Sequence, residues 1–188
     1  MPEHSSVAPP PRLLPLLAQW DVSLEMLHER LEGLTDDECV WEPAPGAATV
    51  VRTEDGRWRP SDAPELGGVR TIAWLFGHLG EAGTERADYL VGSHSLVPGS
   101  IEWPAPTAAE GLRFLDAGLW AWRSALDEMS DHDLDTVGRS QYPGGRDRNL
   151  PLLDIVWWMN RELIHHAAEM SYVRDLYGEA QRIGPRRP

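Results

Sequence analysis

Glu162 and His166 stand four residues apart within the stretch 149–177, NLPLLDIVWWMNRELIHHAAEMSYVRDLY. In a helix that spacing projects both side chains from adjacent turns of one face. At 100° per residue, Ile155, Met159 and Val173 fall in the same narrow stripe, with Met170 and Tyr177 at its edge. An ionisable pair in the middle of an apolar stripe needs a reason, because burying a carboxylate costs several kcal/mol unless it is paired or binds a metal. His78 repeats the anomaly in the run 69–91, where Thr71, Leu75, His78, Ala82 and Tyr89 share a stripe flanked by Trp74 and Leu79. A single core histidine is commonly structural, and a lone Glu/His pair at this spacing is commonly a solvated surface pair. Their joint occurrence on two inward faces points instead to a shared divalent ion held by His78, Glu162 and His166. Three protein ligands leave a position open for water or substrate, which is the catalytic arrangement rather than the closed structural one.

Several neighbours could support such a centre. Glu169 and Glu85 lie two turns beyond Glu162 and His78, so each is a candidate base just outside the ligands or else a rim charge. His165 sits about 100° from His166, could pair with Glu169, and leaves open an alternative site built on itself. Arg52, Arg57 and Arg70 are candidates to hold a substrate carboxylate, with plain surface charge as the competing reading. Cys39 reads as a small buried hydrophobe.

Composition narrows the chemistry. The chain has 188 residues, 41% of them hydrophobic, which suits one domain with a full core. All seventeen basic residues are arginine. With no lysine there is no Schiff base, no pyridoxal-phosphate attachment and no P-loop lysine. A net charge of −13 argues against a nucleic-acid surface. One cysteine excludes an intramolecular disulfide and a cysteine-rich zinc site. No apolar run approaches the roughly 18 residues of a membrane span, and no signal peptide is visible, so a cytoplasmic location is the default.

Four long helices must position these residues. The first is expected over 11–31, where leucines and Trp20 recur at helical spacing before Gly33. The second is expected over 69–91, ending at Gly92. The third opens on the capping box Thr107-x-x-Glu110, and the fourth covers 149–177, with Asn149 as N-cap and Pro151 in its first turn. A further capping box, Thr35 to Glu38, starts a short extra turn. The Pro- and Gly-rich segment 41–68 carries a possible hairpin around Glu54-Asp55-Gly56 and is long enough to be a pocket wall. The domain spans 10–178, with residues 1–9 and 179–188 expected as flexible termini. The resulting class is an all-α four-helix bundle.

The helix pattern, the segment Trp41-Glu42-Pro43, the run TIAWLFGHL at 71–79 and Glu162-x-x-x-His166 resemble the DinB/YfiT-like superfamily. That resemblance implies an up-down-down-up bundle holding a divalent metal, Zn or Ni, usually through three histidines. His78 matches the first, and the late pair corresponds to residues 162 and 166. Glu162 stands where the family usually has histidine, a set similar to that of the mycothiol-dependent maleylpyruvate isomerase branch. The His-Arg-Gly-Gln run that commonly follows is replaced by His166-Ala167-Ala168-Glu169. The implied activity is that of a metal-dependent thiol S-transferase or isomerase, taking a small-molecule thiol of the mycothiol or bacillithiol type and an electrophilic substrate. Two alternatives stay open. Metal-bound water could hydrolyse a small ester or amide, or the protein could bind a metal or ligand without catalysis.

The back of the fourth helix carries Leu153, Trp157 and Ile164, nearly opposite Glu162. This second apolar stripe predicts a homodimer, unless segment 41–68 covers it.

Overall fold

The structure, a computed structural model, describes residues 9–61, 68–97, 99–140 and 147–183. The expected termini at 1–8 and 184–188 lie outside the described residues.

Four long helices form the bundle: α1 (Leu14–Leu31), α3 (Ile72–Val91), α4 (Ala108–Asp127) and α5 (Leu152–Ile183). The short α2 (Asp36–Val40) and an antiparallel hairpin of β1 (Val50–Arg52) and β2 (Trp58–Pro60) lie between α1 and α3. Both predicted capping boxes place their caps: Thr35 accepts from the Glu38 amide and Thr107 from the Glu110 amide. Cross-helix contacts give the directions. Leu16 and Asn160, then Arg30 and Asp175, show α1 parallel to α5. Phe76 beside Gly111 and Gly80 beside Phe114 show α3 parallel to α4. His28 with Asp116 and Asp21 with Arg123 show α1 antiparallel to α4. The bundle is therefore up-down-down-up. Trp20, Trp122, Phe76, Leu79, Leu115, Leu119 and Leu163 fill its centre.

Three boundaries differ from the sequence expectation, each for a local reason. Residues 69–71 are extended because the Ala48 amide donates to the Val69 carbonyl and the Ala48 carbonyl accepts from the Thr71 amide around the bridge from Ala48 to Arg70, and α3 begins only after Thr71 caps the Trp74 amide. Asn149 belongs to a separate 3-10 turn, Asp147–Asn149, and α5 starts after Pro151, where the Leu152 amide bonds to the Thr136 carbonyl. At the other end, α5 does not stop at Gly178 but continues to Ile183. The stripe expected on the back of α5 also splits: Leu153 packs partly on the core, whereas Trp157 and Ile164 stay 58% and 41% exposed. Among the described residues no helix is long and apolar enough to cross a membrane.

The α3–α4 contact is unusually close because glycines face each other across it. A Cβ on Gly83 would lie 2.4 Å from the Gly118 carbonyl oxygen, and one on Gly118 would lie 2.1 Å from that of Gly80. No rotamer change relieves a clash with backbone. Gly83→Ala should destabilise the fold by about 1–3 kcal/mol. Gly178→Ala, helical and with nothing within 4 Å of the new methyl, should stabilise by about 0.5–1 kcal/mol. Chemical denaturation of the two variants checks this, and equal effects would contradict the packing.

Candidate metal centre

Helix α5 brings Glu162 and His166 to the bundle interior on the stripe shared with Ile155, Met159, Met170 and Val173, all buried. Helix α3 runs antiparallel to α5 and places His78 opposite them. The Nε2 atom of His78 lies 3.5 Å, and that of His166 3.3 Å, from Oε2 of Glu162. A tetrahedral ion with ligands ~2.1 Å away would separate its donors by about 3.4 Å, so both separations from Glu162 already suit such a site, and all three donor atoms lie within 4.8 Å of one another. The donor chemistry fits equally well, since two imidazoles and one carboxylate suit a borderline divalent ion such as Zn or Ni. His78, at 19% side-chain exposure, is the most open of the three.

The second oxygen of each nearby carboxylate is already used. Oε1 of Glu162 accepts from the Arg161 guanidinium. Glu169 takes Nδ1 of His166 on Oε2 at 2.8 Å and Nη1 of Arg70 on Oε1 at 3.0 Å. A carboxylate can only accept, so Nδ1 of His166 donates to Glu169, which would leave Nε2 as the nitrogen that faces an ion in the site. Burial pushes the His78 pKa down, which favours the neutral ligand form. Burial also opposes charge on Glu162, but His166 and His78 outweigh it and hold the carboxyl well below the usual range. Burial works against charge on His166 and Glu169 too, yet Glu162 and then Glu169 keep the histidine pKa raised, and His166 and then Arg70 keep the Glu169 carboxyl lowered.

Aromatic residues wall the site. Trp74 stacks on His78 with ring centroids 5.0 Å apart, Arg70 covers Trp74, and Trp103 meets Trp74 edge-on. Gly77 permits this arrangement, because a Cβ there would strike the Trp103 ring. Trp103 is fixed in turn by its Nε1 bond to Glu81 at 3.0 Å. The indole nitrogen of Trp74 is buried with no acceptor, leaving one free donor beside His78.

The other sequence candidates separate clearly. Glu169 is a positioning group on His166. His165 is exposed, its ring 4.8 Å from that of His166. It could form a second cluster with His166 and Glu169, but the Glu169 oxygens are already engaged by His166 and Arg70. Arg52 and Arg57 serve the hairpin instead, bonding the Gly56 carbonyl and Asp55. Arg70 is no plain surface charge, since it pairs with Glu169. Glu85 is outside the His-Glu-His cluster; it lies buried in α3 with both oxygens unpartnered. Cys39 is fully buried, and burial followed by Asp36 and Glu38 pushes its thiol up to about 12. Sequence reasoning missed Arg161, Trp103 and Glu81. The adjacency of Arg161 to Glu162 was visible, but neighbouring residues on a helix point about 100° apart and carry no pairing signal.

The comparisons with known proteins agree with this architecture. The chain belongs to the DinB superfamily, whose family model matches residues 19–170. This is a generally metal-binding superfamily. A conserved protein from Enterococcus faecalis of known crystal structure shares the fold, with a TM-score of 0.58 at 15% identity, over 89% of this chain and 98% of that one. None of the curated proteins matches this chain.

Glu169→Gln breaks the Arg70 pair and weakens the hold on Nδ1, so metal affinity should fall roughly 10- to 100-fold while His78→Ala abolishes binding. Competition with a chelating dye reads both, and an unchanged affinity in Glu169→Gln would remove its positioning role. Glu85 supplies a pH prediction. Burial and then the charge of Glu81 raise its pKa to about 7. Between pH 4.5 and 7 the folded state therefore binds more protons than the unfolded one, and stability declines as pH rises through that window. Glu85→Gln should gain about 1–3 kcal/mol at pH 8 and little at pH 4.5. Melting curves at the two pH values decide it.

Proposed function

We propose that the protein is a metal-dependent enzyme that activates a low-molecular-weight thiol, of the mycothiol or bacillithiol type, and transfers it to a small electrophile or uses it to isomerise one. One observation carries the reading. Glu162 and Glu169 are each paired with an arginine, Arg161 and Arg70. The charge of a divalent ion at His78, Glu162 and His166 is thus left almost uncompensated within a chain of net charge −13. Such an ion, Zn or Ni, would supply a positive centre at which a thiol loses its proton and is held as thiolate. A thiol, with a free pKa near 8.5, needs far less help to ionise than water at about 15.7. The Glu-for-His exchange at position 162 supports the same branch of the superfamily.

The residues of the chain have distinct parts in this scheme. Glu169 holds the His166 proton on Nδ1, so Nε2 stays available without a change of tautomer. Arg161 fixes Oε1 of Glu162 and leaves Oε2 toward the ion. Trp74 and Trp103 shield the His78 side of the site from bulk water, and the free indole N–H of Trp74 can donate to a bound oxygen or sulfur. Glu85 is too deeply enclosed to touch substrate as it stands. It is proposed as a neutral acid behind His78.

The test uses untagged protein loaded with Zn or Ni. Near one divalent ion per chain is expected by mass spectrometry, lost in His78→Ala and His166→Ala. Consumption of monochlorobimane should require mycothiol or bacillithiol, fall at least about 100-fold in His166→Ala, and cease on chelation. Thiol-independent cleavage of small esters or amides would move the assignment to a hydrolase. A protein that ignores both metals would leave only ligand binding.

A further inference from the structure

The face of the bundle made by α1 and α5 is the least explained part of its surface. Val22 and Met26 on α1, and Trp157, Ile164 and Tyr172 on α5, are 55%, 61%, 58%, 41% and 63% exposed. Soluble monomers scatter such residues singly, whereas here Met26, Ile164 and Tyr172 border one groove, and Val22 and Trp157 lie one and two turns away on the same faces of α1 and α5. The groove has a volume of about 460 Å³. Its floor is made of the small side chains Ser23, Ala167, Ala168 and Ser171 with Leu27, and Met26, Ile164 and Tyr172 rise along it. Trp157 continues the same surface past Ile164 toward Gln19 and Arg161.

We infer that this groove is the homodimer interface, occupied by the same face of a second copy of this chain. Three features select that occupant. The first is shape. Large apolar knobs and a hole floored by small residues lie on one face, so a two-fold axis across the groove sets Met26 and Tyr172 of each copy into the hole of the other, as an isologous contact requires. The second is charge. Copies of −13 repel wherever acidic surfaces meet. Here the two charged residues that line the groove cancel internally: Arg30 pairs with Asp175 at 2.5 Å. The third is area. With aromatic side chains offering ~150–250 Å² each, the five residues present on the order of 500 Å². The groove floor adds to that, against about 800 Å² per partner in a stable complex. The structure also revises the interface expected from sequence. Leu153 turns toward the core, while Val22, Met26 and Tyr172 join Trp157 and Ile164. Because α1 and α5 are parallel neighbours, the two copies would bring four helices together.

The test is sedimentation of the full chain across the micromolar range, with the variants Met26→Arg and Ile164→Arg. Both positions are exposed, so unchanged far-UV dichroism and melting of the diluted monomer confirm that the fold survives. Expected is a wild-type dimer, weakened at least about 30-fold by each substitution, as for an interface hot spot. Trp120→Arg, at a 72% exposed aromatic on α4, should remain dimeric. A wild type that is monomeric throughout would overturn the proposal and leave the groove to another partner. So would a dimer that tolerates both substitutions, or one broken by Trp120→Arg instead. None of these outcomes depends on the metal or on thiol chemistry.

Discussion

The carboxylate of Glu162, held between His78 and His166 across α3 and α5, is the constraint around which the bundle is arranged. A buried carboxylate with two imidazoles is tolerable only if every partner keeps its place, because loss of one leaves an uncompensated group in a low-dielectric interior. Each partner is accordingly held from behind. His166 is held by Glu169, Glu169 by Arg70, His78 by the stacked Trp74, and Glu162 itself by Arg161. The chain from Arg70 to His166 links the first residues before α3 to the middle of α5. It also fixes the relative height of the two helices.

That height could not be set by the site alone. On its other side α3 meets α4 through Gly80, Gly83 and Gly118, an approach that only glycine allows, and Trp103 fits against Gly77 on the return from α3 to α4. Because α3 and α4 are parallel, this return must travel the length of the helices. In doing so it brings Trp103 beside Trp74 and anchors on Glu81. The wall of the pocket is thus a by-product of the up-down-down-up topology. At the far end of α5, Arg174 ties α2 to the bundle through the buried Glu38 and the carbonyl of Glu32.

Electrostatically the molecule separates two regimes. Most of its negative charge is solvated surface, where salt screens it. At the centre Glu162 and Glu169 are paired with arginines, Glu81 accepts from Trp103 and the Gly99 amide, and Glu85, whose oxygens have no hydrogen-bond partner, is placed where it prefers to be neutral. In the α1–α5 groove Arg30 and Asp175 cancel each other in the same way.

The sequence by itself determined what is local. Helical periodicity put His78, Glu162 and His166 on inward faces, the boxes at Thr35 and Thr107 marked two helix starts, and Glu54-Asp55-Gly56 marked the hairpin. These follow from backbone geometry over a few residues, and they made the fold class and the three candidate ligands readable. What only the tertiary structure decided is which residue meets which across helices. Arg70 and Glu169 are 99 positions apart, and nothing in either stretch names the other. Arg161 lies next to Glu162 in the chain, but its pairing depends on the rotation of α5 and on Trp158 beneath its guanidinium. The late start of α3 arose from a pairing with Ala48 that no local pattern contains, and α5 ran through Gly178 because the cost of one glycine in a helix, about 1 kcal/mol, is small beside the hydrogen-bond ladder of a long one. Periodicity is written into a single segment, whereas the choice of partners depends on the order, direction and rotation of segments that the chain brings together only on folding.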